Sequence, residues 1–229
     1  TAVSPQGGPT IGGTQLTVSG RRLHGGSDYR CRFARRDGAD GLLKPVRVTH
    51  ARLVNHSVHC NSSGAAIDGG ADLSESLEVS LNGQQYHHGS SLHFSIHPAP
   101  TVAALSPGAG PALGDTAVVL TLGVASLPSV GTVGTNHTCR FGAGADADRG
   151  AVVVPGSVVA TDASLYGGPS VRCVSPPVVR PIDPRGPRYG RMPLYGDDLP
   201  VVDLEYSLNG QQYTASGRQF SYLTVATVS

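Results

Sequence analysis

The heptapeptide Ser80-Leu81-Asn82-Gly83-Gln84-Gln85-Tyr86 recurs unchanged as Ser207-Leu208-Asn209-Gly210-Gln211-Gln212-Tyr213. Seven identical residues in a row do not arise by chance in a chain of 229 residues. The sequence is therefore an internal repeat, and whatever it folds into is made twice. The surroundings repeat in the same order. Val3-Ser4-Pro5 and Gly12-Gly13-Thr14 leading to Val18 match Leu105-Ser106-Pro107 and Gly114-Asp115-Thr116 leading to Leu120. Cys31-Arg32-Phe33 matches Cys139-Arg140-Phe141, Val58-His59-Cys60 matches Val171-Arg172-Cys173, and Phe94-Ser95-Ile96 matches Phe220-Ser221-Tyr222.

The repeat sets the domain organisation. Residues 1–98 form one expected domain and 99–229 a second, each close to the common domain size of about 100 residues. The break falls at His97-Pro98-Ala99-Pro100, where the prolines disfavour helix and continued sheet pairing. Thr1 leads straight into a strand-like segment with no signal peptide ahead of it, so the chain reads as a piece of a longer protein.

Inside each copy the pattern has period two. Leu77, Val79 and Leu81 alternate with Glu78, Ser80 and Asn82, and Val202, Leu204, Tyr206 and Leu208 alternate with Asp203, Glu205, Ser207 and Asn209. Such alternation marks a strand with one buried and one wet face. Asn82-Gly83 and Asn209-Gly210 are expected to turn the chain, because both residues tolerate positive φ, and the following Gln and Tyr to restart the return strand. Short strands separated by turn signals indicate an all-β chain of two tandem sandwiches. A content of 31 glycines and 17 prolines fits that reading.

Lys and Arg number 17 against 16 Asp and Glu, a net charge of +1. Neither a nucleic-acid nor a membrane-surface footprint stands out. No run approaches the roughly 20 apolar residues of a membrane span. Cys31, Cys60, Cys139 and Cys173 fall two to a copy. Four cysteines allow three connectivities, and their matched positions favour the pairs Cys31–Cys60 and Cys139–Cys173. Asn-x-Ser/Thr sequons occur at Asn55, Asn61 and Asn136. Paired cysteines and sequons together point to an oxidising compartment, extracellular or at the cell surface.

These features resemble the IPT/TIG family of immunoglobulin-like domains. The resemblance rests on Ser4-Pro5 through Gly12-Gly13-Thr14 to Val18-Ser19-Gly20, then Cys31-x-Phe33, Val58-x-Cys60, the Ser-x-Asn-Gly-x-x-Tyr block and a closing aromatic strand. Both copies fit, over nearly the whole chain. The second departs at Asp115, where the first has Gly13, and at Gly123, which follows Leu122 rather than a serine. The resemblance implies two β-sandwiches. Such domains occur in plexin-type receptors, large repeat ectodomains, Rel-type transcription factors and some starch-acting enzymes, so it implies a fold more firmly than a job.

Twenty positions separate Cys60 from Ser80, whereas 34 separate Cys173 from Ser207. The second copy therefore carries an inserted Pro/Arg-rich loop at about 175–200. Arg180, Arg185, Arg188, Tyr189, Arg191, Met192 and Tyr195 lie in it, and Arg, Tyr and Met are enriched in binding hot spots. A loop on a rigid sandwich is a common recognition element, and these residues are the candidate partner-binding surface; a solvated loop without a partner is the plain alternative. A second candidate is the cluster Arg21, Arg22, Arg30, Arg32, Arg35 and Arg36, suited to an acidic partner or sulfated glycan, or simply a wet strand face. The histidines 50, 56, 59, 87, 88, 93 and 97 lack helical ligand spacing and are expected in turns, with no metal and no cofactor. No nucleophile elbow and no phosphate-binding glycine loop is present.

The expected function is a non-enzymatic extracellular binding module of a larger cell-surface protein, in adhesion or recognition, with a protein partner or neighbouring domains of the same assembly and with N-glycans. Three alternatives remain open. One is a structural repeat unit of an extracellular filament or wall. Another is a carbohydrate-binding accessory domain, which the absence of Trp disfavours. The third is an intracellular DNA-binding or ciliary scaffold with reduced cysteines.

Overall fold

The computed structural model describes residues 2–34, 46–65, 73–87, 92–124, 127, 136–142, 150–160, 167–178 and 199–224. Every regular element among them is a β-strand. The chain divides into two compact units, the first reaching Ala99 and the second beginning at Pro100.

Unit 1 contains β1 (Ala2–Ser4), β2 (Gly7–Pro9), β3 (Gln15–Ser19), β4 (Arg30–Ala34), β5 (Arg47–Val54), β6 (Ser57–Asn61), β7 (Leu73–Ser80) and β8 (His93–His97). They are joined in the order β1-β3-β6-β5-β4-β7-β8-β2. Unit 2 contains β9 (Val102–Ser106), β10 (Ala109–Pro111), β11 (Ala117–Leu122), β12 (Thr138–Phe141), β13 (Val152–Ala160), β14 (Ser170–Val174), β15 (Val201–Ser207) and β16 (Gln219–Leu223). Its order, β9-β11-β14-β13-β12-β15-β16-β10, is the same topology. The repeat in the sequence is thus a repeat in space.

Two features fold each sheet over into two layers. The first is a strand that changes layer. In β5, Arg47–His50 pair with β4 while Ala51–Val54 pair with β6; in β13, Val152–Pro155 pair with β12 and the remainder with β14. The second lies at the start of each unit. β1 runs antiparallel to β3, the Ser4–Pro5 peptide is cis, and β2 then runs parallel to β8 on the other layer. β9, the cis Ser106–Pro107 bond and β10 repeat this arrangement. Each unit is an immunoglobulin-like β-sandwich, nearly closed upon itself.

The inward faces supply the cores. Leu16, Val18, Phe33, Leu77, Phe94 and Ile96 are all at most 1% exposed in unit 1, as are Val118, Leu120, Leu204, Tyr206 and Phe220 in unit 2. Burying a side chain of this size is worth about 1.5–3 kcal/mol. Phe33 meets Phe94 edge-on at 5.7 Å between ring centroids, and Phe141 meets Phe220 at the same distance. Both cysteine pairs are disulfides, Cys31–Cys60 and Cys139–Cys173. Each ties the layer holding β4 or β12 to the layer holding β6 or β14, through the middle of the core.

The departure at Asp115 leaves the backbone unchanged. Gly12 and Gly13 have φ of 76° and 79°, and Gly114 and Asp115 follow with 85° and 61°. Aspartate is one of the few non-glycine residues that tolerates this left-handed conformation. The Asn-Gly turn differs from expectation. Only the glycines, Gly83 and Gly210, take positive φ. The asparagines act instead through their side chains. Asn82 Oδ1 accepts hydrogen bonds from the backbone N–H groups of Gln84 and Gln85, and Asn209 Oδ1 accepts those of Gln211 and Gln212, all between 3.0 and 3.2 Å. The return strands also start later than expected, at His93 and Gln219, with Tyr86 adding only a single bridge to Ser80.

Candidate functional site

The most repeated chemistry in the chain assembles at one place in each unit. Arg32 leaves β4 on the face opposite Cys31, and Glu78 is its cross-strand partner on β7. Arg32 Nε donates to a Glu78 carboxylate oxygen at 2.5 Å, and the guanidinium carbon lies 4.1 Å from the centroid of the Tyr86 ring. In unit 2, Arg140 donates to Glu205 from Nε at 2.8 Å and lies 4.2 Å from the centre of Tyr213. The Cys-Arg-Phe strand and the Asn-Gly block are therefore two halves of one clasp: the carboxylate holds the guanidinium from the side and the tyrosine covers it. Its repetition in both copies is explained by architecture.

The clasp also disposes of part of the arginine cluster. Arg32 is committed to Glu78, and Arg30 pairs with Asp28 at 2.9 Å. The hydrogen bond from Arg30 holds the Asp28 carboxyl below its ordinary range. Arg21 and Arg22 are exposed, and Arg35 and Arg36 lie outside the described residues. The cluster is not a continuous free basic face.

Of the histidines, His97 is buried, with Nδ1 3.0 Å from the Pro98 carbonyl, and His56 stands in a turn. His88 is outside the described residues. Among the described residues no group of three or more His, Cys, Asp or Glu is placed to hold a metal ion, and no helix is long and apolar enough to cross a membrane. His137, absent from the sequence-based candidates, is the most perturbed. Its Nδ1 lies 2.6 Å from the Tyr206 hydroxyl, its ring stacks on that tyrosine, and its Nε2 is buried without a hydrogen-bond partner. Burial lowers its pKa and raises that of Tyr206.

The three sequon asparagines are exposed. Asn55 and His56, with φ of 46° and 65°, form the two-residue turn between β5 and β6 in the type I′ manner. Asn61 closes β6. Asn136 precedes β12, where the hydroxyl of its sequon threonine, Thr138, is 3.0 Å from that of Tyr213.

Arg180, Arg185, Arg188, Tyr189, Arg191, Met192 and Tyr195 lie outside the described residues. The stems of their segment are described. Val178 N–H donates to the Ala112 carbonyl at 2.9 Å, Tyr222 N–H to Pro200, and the Tyr222 hydroxyl to Pro176 at 2.9 Å. Phe141, Val152, Pro176, Pro177, Pro200 and Tyr222 surround a small apolar hollow between those stems.

Sheet order, layer-crossing strands and one bridge per sandwich define the class: a pair of tandem immunoglobulin-like β-sandwich modules. Among solved structures, the full extracellular region of plexin A4, domains 1 to 10, aligns with 97% of this chain at 16% identity and a TM-score of 0.55, and the chain spans 16% of its length. A structure of the plexin A4 extracellular region with domains 1 to 8 aligns with 98% of the chain and 27% of its own length, at 11% identity and a TM-score of 0.35. The first likeness supports the fold. The chain matches no protein-family model and no curated protein.

Proposed function

We propose that this chain is a non-enzymatic extracellular module of the IPT/TIG type within a larger cell-surface protein, acting in adhesion or recognition through protein–protein contacts. The observation that carries this reading is the inter-layer disulfide in each unit, with no free cysteine among the described residues. Bridges of this kind persist in oxidising compartments. The fold likeness to a plexin ectodomain supports the same reading. Asn55, Asn61 and Asn136 are proposed N-glycan carriers on the strength of their exposure.

The contact surface we assign is the inserted segment with Arg180, Arg185, Arg188, Tyr189, Arg191, Met192 and Tyr195. Its stems are anchored to the sandwich and flank an apolar hollow, which is a suitable base for a recognition loop. Removing residues 180–198 and joining the stems with a short Gly-Ser bridge tests this. Capture of cell-surface partners by the full chain should be lost while both disulfides remain. Undiminished capture would reject the loop. Mass spectrometry of the native protein showing reduced cysteines and bare sequons would reject the extracellular assignment.

A second reading, a structural repeat in an extracellular filament or wall, is favoured by one observation: both copies build the same Arg–Glu–Tyr clasp and the same asparagine-braced turn. Further copies of these blocks in the parent chain would support it.

A further inference from the structure

The outer face of β3, β6 and β5 brings together side chains that sequence order keeps apart. Strand register places Thr17 opposite His59 and His59 opposite Arg52, while Gln15 faces Asn61 one step along. His50 projects beside them, two residues before Arg52 on β5. Between these strands lies an open hollow of about 340 Å³, lined by Gln15, His50, Arg52, His59 and Asn61 over a floor of Leu16, Ala51 and Cys60. Among the described residues its walls carry one guanidinium, two imidazoles and two amides and no carboxylate. Asp28, the acid that interacts with His50, is already held by Arg30.

The fold does not demand this polarity. The matching positions of unit 2, read from the same register, are Ala117, Pro155, Ser157, Arg172 and Val174. One copy has a small, largely apolar face where the other has a hydrogen-bonding hollow.

We propose that this hollow of unit 1 binds an acidic saccharide, sulfated or carboxylated. Arg52 offers a planar fork matched to a sulfate or carboxylate. His59, its neighbour on β6, reaches the same anion from the side. His50, with the Asn61 amide of the unglycosylated chain, supplies the donors and acceptors that ring hydroxyls require. A protein partner would need a large apolar or aromatic anchor, and Leu16 and Cys60 in the floor are 1% and 5% exposed. The absence of an apolar anchor among the described lining residues favours sugar over acidic peptide. The proposal is independent of segment 180–198.

The test uses the full chain secreted to a bacterial periplasm, which forms disulfides and leaves Asn61 without a glycan. Calorimetry with a sulfated glycosaminoglycan hexasaccharide should show binding. Arg52→Ala and His59→Ala should each weaken it about tenfold, the scale of one charge-assisted hydrogen bond. Arg22→Ala, an exposed arginine of the same unit outside the hollow, should leave it unchanged. Unaltered thermal unfolding in all three variants would show that the fold is kept. Four results would overturn the proposal: no binding by the parent chain, equal binding by the Arg52 and His59 variants, equal weakening by Arg22→Ala, or displacement by sodium sulfate or a hexaglutamate peptide at matched charge. The last pair would identify a plain anion site or a protein site.

Discussion

Arg47 donates to Glu75 in the interior of unit 1, where the Glu75 side chain has no exposure to solvent and that of Arg47 has 17%. At the corresponding register positions, unit 2 has Val152 opposite Phe141 and Val202 opposite Phe220. The two copies occupy one register position in two ways, with an ion pair whose carboxylate is fully buried and with two valines, Val152 exposed and Val202 half-buried. Removing one member of such a pair strands the other charge, at a cost of about 3–5 kcal/mol, whereas replacing both with well-packed apolar residues is often neutral or stabilising. Glu75→Ala should therefore lower the stability of unit 1 by about that amount, and Arg47→Val with Glu75→Val should recover most of it. Hydrogen exchange at the amides of β4 and β7 reads the unit directly. A double variant as unstable as the single would show that the pair contributes more than its own desolvation.

The asparagine of the repeated turn should matter unequally in the two units. Asn209 is 5% exposed and accepts the N–H groups of Gln211 and Gln212. Asn82 makes the same contacts but is exposed. Water can take over in unit 1 but less readily in unit 2. Asn209→Ala is expected to cost about 1–3 kcal/mol, the penalty for buried groups left unpaired, and Asn82→Ala clearly less. Denaturant midpoints of the two variants check the ranking.

Each bridge closes a loop within its own unit, with sequence separations of 29 and 34 residues. Loops of that length correspond to roughly 3–4 kcal/mol of unfolded-state entropy. Replacing Cys31 and Cys60 by alanine should lower the unfolding transition of unit 1 by that amount and leave that of unit 2 in place. Simultaneous loss of both transitions would show that the units do not unfold independently.

Acid should weaken unit 2 through His137. Burial lowers its folded pKa below the ordinary 6.5, so in the window just below that value the unfolded chain binds a proton that the folded one refuses. The stabilisation is complete above about pH 6.5 and declines as the pH falls toward the depressed folded value. His137→Gln should flatten the dependence between pH 7.5 and 5.5, measured as the urea midpoint of unit 2. A midpoint that responds equally to pH in parent and variant would assign the effect elsewhere. Tyr206 gives the alkaline counterpart. Its pKa is raised by burial, so stability is lost as the pH rises beyond the ordinary tyrosine value near 10.

Part of this was open to inspection in the primary structure. Alternation at Leu77, Val79 and Leu81 places them inward, and the recurrence of Cys-Arg-Phe with Asn-Gly-Gln-Gln-Tyr implies a shared local structure. Arg32 and Arg140 were legible only as outward strand residues. Their covering by Tyr86 and Tyr213 depends on how the chain returns after the turn, and the expected immediate restart of the strand was not found. The hollow was invisible because Arg52, His59 and Gln15 come from three strands, and nothing local specifies their register.

Local chemistry, then, is what the amino-acid order determined alone: strand periodicity, glycine-dependent turns, a duplicated plan and one pair of cysteines in each copy. These follow from the preferences of residues near one another in the chain. The crossing of β5 and β13 between layers, the burial of Glu75 against Arg47, the burial of His137 against Tyr206 and the polar hollow of unit 1 were decided by tertiary structure. Each depends on which strands, tens of residues apart, lie side by side, and that is settled by packing of the whole core.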